Sequence, residues 1–471
     1  MTIKKRILCL LAVSTVLTLQ AVQPRQPEHS PYKIKKGVAV FKEPKRAPGQ
    51  QSMLGFAAEP IKTVRVGFIG LGMRGPGAVE RFAHIENVEI KALCDLLPER
   101  ITSAQQILAK TGLPKAAEYS GEEGWKAMCD RDDLDLVYIV TPWVPHVEIS
   151  VYAMEHGKHV AVEVPAAQSI AECWQLVDTS ERTRKHCMML ENCVYDFFEL
   201  TTLNMAQHSV FGEILHVEGA YIHNLDYFWE SYQGNWRLKF NRDHRGDVYP
   251  THGLGPACQL LNIHRGDKMN YLVSMDTKSV RGPHYFKKLT GEEVSDFKNG
   301  DHTLTFIRTQ NGKTIHLQHN VWTPRPYSRM YQLTGTAGFA NKYPIEGYCF
   351  HPHQANKTQI PDLEKLDGHA FVPEATKQAL MERYKHPIHK ALEERARKIG
   401  GHGGMDFVMD YRLVYCLQNG LPLDQDVYDA AEWSCIGELS AVSIEHGSIP
   451  VEIPDFTRGD WNKLDGLRFA E

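Results

Sequence analysis

An α/β architecture with two parts follows from three features of the chain. Strands and helices alternate strictly from residue 64 to residue 190, and a glycine-rich turn joins the first strand to the first helix. After about residue 212 the pattern changes to alternating strands, one pair joined by a hairpin signal. The first pattern predicts right-handed βαβ units in a doubly wound parallel sheet. The second predicts an α+β domain built on a largely antiparallel open sheet.

The elements follow in order. A β-rich run at 64–69 (VRVGFI) leads through Gly70–Gly75 into a helical pattern. A strand at 88–94 ends at Asp95, followed by a helix at 98–111, a strand at 134–140 and a helix at 147–155. A strand at 160–163, a helix at 169–184 and a short strand at 188–190 complete the alternation. In the second half, 214–222 alternates, and strands at 303–309 and 314–320 flank Asn311-Gly312, a dipeptide that tolerates the positive φ of a tight hairpin. Helical stretches at 374–398, 406–419 and 425–445 follow, with glycine-rich 400–404 between the first two. The domains predicted are 61–190 and 191–471.

The chain has 471 residues, too many for one ordinary domain. Its 53 Lys+Arg against 57 Asp+Glu leave no broad positive charge for nucleic acid. At the N-terminus Lys4, Lys5 and Arg6 precede an apolar run at 7–19. That run is shorter than the ~20 residues a membrane span needs and suits a cleaved export signal. Residues 1–23 therefore predict a signal peptide and an exported protein with no membrane span after cleavage. Residues 24–60, rich in Pro, Lys and Gln, predict an extended arm with no core of its own.

Nine cysteines remain after that cleavage, with no C-x-x-C spacing and no disulfide framework. The 23 histidines include no His-x-x-x-His pair, so no metal site is predicted.

The glycine turn carries a specific expectation. It is a G-x-G-x-x-G sequence placed between a strand and a helix, with an acid 20 residues after its last glycine at the end of the next strand. Gly70 allows the tight turn, Gly72 lets backbone approach a pyrophosphate, and Gly75 lets helix and strand pack closely. The helix N-terminus presents N–H groups to phosphate. Asp95 accepts hydrogen bonds from ribose hydroxyls and repels a 2′-phosphate, which favours NAD over NADP. Met73, Arg74, Trp143, His146, Glu163, Val164 and Asn192 lie near the carboxyl ends of strands, where ligands bind in open α/β sheets.

Val140-Thr141-Pro142 with His146, Gly157-Lys158-His159-Val160 and Glu163-Val164-Pro165 resemble the glucose–fructose oxidoreductase/inositol dehydrogenase family from residue 61 to about 450. Dehydrogenases of that family carry a Glu-Lys-Pro lysine and an Asp-x-x-x-His pair. Here Val164 stands in the lysine position, and Val248 stands four residues before His252. These departures match one branch. Glu163-Val164-Pro165, Glu191-Asn192-Cys193-Val194-Tyr195 and Tyr249-Pro250-Thr251-His252-Gly253-Leu254-Gly255-Pro256 are similar to glycoside hydrolase family 109. So are Thr323-Pro324-Arg325-Pro326-Tyr327-Ser328 and Gly401-His402-Gly403-Gly404-Met405-Asp406.

The resemblance implies an NAD-containing glycosidase acting on terminal α-N-acetylgalactosaminides. In such an enzyme C3 is oxidised by hydride loss, C2–H becomes acidic, the C1 substituent is eliminated, water adds and hydride returns. The cofactor supplies the hard step and net redox change is zero. That closed cycle suits an exported enzyme with no supply of fresh cofactor.

The resemblance implies Tyr195 as the base at C2. His252 is the expected proton-transfer partner, with Tyr221, Arg237, Tyr249 and Tyr327 as sugar contacts and Tyr331 competing with Tyr327. Asp406 reads as a helix cap, and His402 is left outside the site. Two alternatives stand beside this reading: a secreted sugar oxidoreductase holding NAD(P) tightly, and a non-catalytic sugar-binding protein. The open sheet also points to self-association.

Overall fold

A computed structural model describes residues 32–470. The expected signal peptide and the first part of the arm lie outside the described residues. The first half forms a six-stranded parallel sheet in the order Ala117–Ser120, Val88–Asp95, Val64–Ile69, Leu136–Ile139, His159–Val162, Cys187–Met189. Leu136–Ile139 and His159–Val162 are buried along their whole length. That is the condition of central strands covered by helices on both faces, and it explains their unbroken apolar runs.

Gly70 makes the first turn with φ +93°, where a Cβ would stand 2.6 Å from the Val140 carbonyl. No side chain fits at that point. Gly75 opens the helix Gly75–Phe82 directly against the Gly70 carbonyl.

The second half builds a ten-stranded sheet. Its order is Tyr32–Lys35, Val38–Phe41, Val451–Glu452, Met269–Asp276, Thr303–Thr309, Thr314–Asn320, Ile214–Ile222, Tyr331–Gly335, Gly338–Asn341, Gly347–Phe350. Most neighbours are antiparallel; Thr314–Asn320 runs parallel to Ile214–Ile222, and Val451–Glu452 parallel to Val38–Phe41. The hairpin at Asn311-Gly312 forms as expected, with Gly312 at φ +86°. One face of this sheet packs on the helices Thr251–Leu260 and Val427–Glu445. Gly219 and Gly253 let the first of these helices touch the sheet backbone, because a Cβ on either would overlap the other's chain.

The arm is not free of the core. Its strands Tyr32–Lys35 and Val38–Phe41 extend the large sheet, and Ala39, Phe41 and Met53 are buried. The helical stretch at 374–398 is two helices, Glu374–Arg383 and Pro387–Ile399. Pro387 has no N–H to continue the first, and the His386 ring accepts from the Ile388 N–H to start the second.

Helices from the C-terminal half also close on the parallel sheet. Met405–Asn419 carries Asp410, which receives Arg81 Nε at 2.6 Å and the Tyr138 hydroxyl at 2.8 Å. The Cys173 thiol meets the Ala431 carbonyl of Val427–Glu445. Each of the nine cysteines among the described residues is a free thiol, eight of them buried. No helix there is long and apolar enough to cross a membrane.

Candidate active site in the interdomain cleft

A cleft of about 1040 Å³ runs between the carboxyl ends of the parallel strands and the large sheet. Gly70, Gly72, Met73, Arg74 and Asp95 line its nucleotide end with Trp143, Glu163, Val164 and Asn192. Asp95 is held by backbone: Oδ2 accepts from the Leu71 N–H at 2.6 Å and Oδ1 from the Leu97 N–H at 3.0 Å. The acid expected to receive ribose hydroxyls therefore also clamps the glycine turn. A dinucleotide fits this end on two further grounds. The turn offers a backbone cradle that a side chain at Gly70 would fill, and the buried Thr141 Oγ1 on the cleft wall has no hydrogen-bond partner.

Beside Glu163 and Asn192 lies a network that sequence reasoning missed. Asn192 Nδ2 donates to Asp406 Oδ1 at 2.6 Å, and Arg74 donates to Asp406 Oδ2 at 3.1 Å and to Glu163 at 3.4 Å. His402 Nδ1 stands 2.9 Å from the same Asp406 oxygen. Asp406 is thus no helix cap. Its carboxyl pKa is pulled far down by hydrogen bonding from His402 and the charges of Arg74 and Arg81, against the cost of burial. His402 lines the cleft.

The opposite wall holds Tyr221, Arg237, Tyr249, His252 and Tyr327 together, although they come from separate elements. The Arg237 guanidinium sits among the rings of Tyr249 (4.8 Å), Trp143 (5.0 Å), Tyr232 (5.3 Å) and Tyr221 (5.8 Å). Its Nη1 donates to the Tyr232 hydroxyl at 2.8 Å, while buried Nε and Nη2 have no partner. Among the described residues no carboxylate pairs with it. A buried, unpaired donor fork in an aromatic box is built to take a polar ligand.

His252 Nδ1 lies 2.8 Å from Glu191 Oε2, so this nitrogen carries the proton and Nε2 is left to accept. Tyr249 O–H is the partner of Nε2 at 3.3 Å. Burial lowers the His252 pKa although Glu191 opposes it, and His252 in turn holds Glu191 below the usual carboxylate range. The pair is therefore a neutral imidazole on an ionised carboxylate. Glu191 stood in a quoted motif without a role, and no local pattern linked it to His252.

Three expectations are corrected. Tyr195 does not reach the cleft: the 3-10 turn Cys193–Tyr195 carries it into the core, where its hydroxyl donates to Asp424 Oδ2 at 3.2 Å. Burial and that carboxylate push its pKa well up. His146 is buried with its ring nitrogens on the carbonyls of Pro165 (2.9 Å) and Thr141 (3.0 Å). It braces two turns that line the cleft and does not line it. Gly75 packs behind the turn, without facing the cleft. Of the competing tyrosines, Tyr327 faces the cleft and Tyr331 is buried with its hydroxyl toward the Glu199 carbonyl.

Glu191, Cys193 and His252 bring ligand atoms within 4.8 Å of one another. Arg329 Nη1 stands 2.6 Å from Cys193 Sγ, so a fixed positive charge already occupies the place a cation would take. Arg329 was not foreseen either.

Comparisons with known proteins fit both halves. Residues 64–191 match the family described as the oxidoreductase family, NAD-binding Rossmann fold. Residues 195–463 match the family described as glycosyl hydrolase 109, C-terminal domain. The chain is 62% identical over 470 residues to glycosyl hydrolase family 109 protein 1 of Bacteroides thetaiotaomicron, covering 99% of each chain. It is 62% identical over 465 residues to the family 109 protein of Porphyromonas gingivalis, covering 98% of each. Among solved structures, levoglucosan dehydrogenase in complex with NADH and levoglucosan superposes with a TM-score of 0.62 at 17% identity. That match covers 83% of this chain and 99% of the dehydrogenase, and it shows the fold.

Proposed function

Because the chain belongs to glycosyl hydrolase family 109 and carries an NAD-binding Rossmann domain, we propose that it cleaves terminal α-N-acetylgalactosaminides by a redox-neutral cycle. One observation carries the mechanism. Among the described residues, every carboxylate lining the cleft (Asp95, Glu122, Glu163) comes from the nucleotide domain, and the wall bearing Arg237 and His252 contributes none. Hydrolysis by two carboxylates flanking the glycosidic bond needs acids on that wall. Val164, where dehydrogenase relatives would place a lysine, has no proton to exchange.

NAD, when bound, would take hydride from C3 of the sugar and return it at the end of the cycle. Gly70, Gly72 and Asp95 would hold it, with Glu163, Val164 and Asn192 bordering the nicotinamide end. Arg237 and its ring box would orient the pyranose and exclude water. His252 Nε2, its tautomer set by Glu191, would take the C3 hydroxyl proton and give it back. The reading extends to export: the basic head and apolar run of residues 1–23 suit a signal peptide, and a closed cycle needs no fresh cofactor outside the cell.

The test is hydrolysis of aryl α- and β-N-acetylgalactosaminides by purified protein in heavy water with no added NAD. Release of the sugar from the α-glycoside with deuterium at C2 is expected. Release with the original C2 hydrogen would sink the cycle, and accumulation of an oxidised sugar would favour the oxidoreductase.

A further inference from the structure

With Tyr195 in the core, the proton at C2 lacks an acceptor. We propose that Tyr327 is the catalytic residue that removes it and that Arg329 is the positioning residue that fixes the Tyr327 oxygen. The proposal rests on the redox-neutral reading.

The geometry singles out this pair. Tyr327 is 41% exposed on the cleft wall, between the rings of His223 (5.0 Å) and Tyr343 (6.1 Å). Arg329 Nε donates directly to its hydroxyl oxygen. The guanidinium itself is buried, with Cys193 Sγ at 2.6 Å and Met405 Sδ at 3.9 Å. Among the described residues it makes no ion pair with a carboxylate. Among the described residues, the phenol of Tyr327 is the one side-chain oxygen that this guanidinium is bonded to. A positive charge at such range lowers an acid's pKa by about 1–3 units. Burial holds the Tyr327 pKa above its ordinary value, Cys193, Tyr221 and Tyr343 add to that, and Arg329 is the group that opposes them.

Tyr232 is the competitor, since Arg237 donates to its hydroxyl. Two facts favour Tyr327. Tyr232 belongs to a segment tied to the nucleotide end, by Gln233 to Arg100 and by Ser231 to Met73. Arg329, through Cys193, joins the Glu191–His252 pair, because the Cys193 N–H donates to Glu191 Oε1 at 2.9 Å. C2 and C3 are adjacent carbons, so the groups serving them belong on one connected patch of wall.

The step balances. With the cofactor bound, hydride loss from C3 would leave C3 a ketone. The C2–H bond breaks, its proton goes to the Tyr327 oxygen, and its electron pair forms the enolate. That pair then makes the C1=C2 bond as the C1–O bond breaks, and the departing oxygen keeps its pair and takes a proton from water.

Tyr327→Phe should retain NAD, still show reduced-nicotinamide absorbance on mixing with substrate, and lose deuterium exchange at C2 at least 100-fold. Exchange at the wild-type rate in Tyr327→Phe, or its loss in Tyr232→Phe instead, would overturn the assignment. Arg329→Gln should move the acidic limb of the kcat profile upward by about 1–3 pH units, and Arg329→Lys should restore most of it. This pair decides the question should Tyr327→Phe not hold cofactor, and an unshifted limb in Arg329→Gln would overturn the positioning role. Absence of C2 exchange in the wild-type protein would instead remove the redox-neutral reading itself.

Discussion

His252 Nδ1 and Glu191 Oε2 lie 2.8 Å apart behind the cleft wall, both residues more than nine-tenths buried. The contact fixes which ring nitrogen holds a proton and leaves the other facing Tyr249 and the cleft. Among the described residues this buried carboxylate has no other ion-pair partner, and the imidazole N–H and the Cys193 N–H satisfy it.

Glu191→Gln should therefore lower kcat by about 10²–10⁴-fold, the span general acid–base catalysis supplies, while leaving NAD content unchanged. Steady-state kinetics and nucleotide released on heating check both parts. Unchanged kcat would mean that the His252 tautomer does not matter to the reaction.

Asp95→Ala should weaken NAD retention without changing which sugar is cleaved. It also removes the acceptor of two backbone N–H groups, so thermal unfolding should show a loss of about 1–3 kcal/mol. Full cofactor occupancy after dialysis would take Asp95 out of the nucleotide site.

Arg237→Met should raise KM for the glycoside about 10- to 100-fold, since a hydrogen bond to a charged group contributes about 1.5–3 kcal/mol. The four surrounding rings keep the pocket closed in the variant, so NAD content should hold. A KM within twofold of wild type would show that the unpaired Nε and Nη2 atoms do not meet the sugar.

Asp247→Asn probes pH-dependent stability. Asp247 is buried, its carboxylate accepts among the described residues only from the Tyr249 N–H, and its pKa is pushed up to about 7 by that burial. A carboxyl whose folded pKa exceeds its unfolded value favours folding most at low pH and loses that contribution as pH rises toward 7. Asn keeps the acceptor without the charge. The variant should thus gain stability over wild type at pH 8, by up to a few kcal/mol at ~1.4 kcal/mol per pKa unit, and much less at pH 4. Equal melting temperatures at both pH values would contradict the raised pKa.

Local rules made part of this protein legible from its residues alone. The Gly70 turn, the buried parallel strands, Asp95 at a strand end and the Gly312 hairpin each obey a constraint carried within a few residues: a positive φ, an apolar run, a fixed offset. The sequence reading also brought the cleft-lining group Tyr221, Arg237, Tyr249, His252 and Tyr327 to attention before any contact among them was visible.

Only the tertiary structure decided which way neighbouring side chains point and what they meet. Asn192 stays at the cleft while Tyr195, three positions on, turns into the core, because one 3-10 turn separates them. Glu191 meets His252 across 61 positions, and Asn192 meets Asp406 across 214. Arg329 finds Cys193 across 136. Such contacts depend on how the C-terminal helices close over the parallel sheet, and the packing of buried side chains sets that closure, which no local pattern encodes.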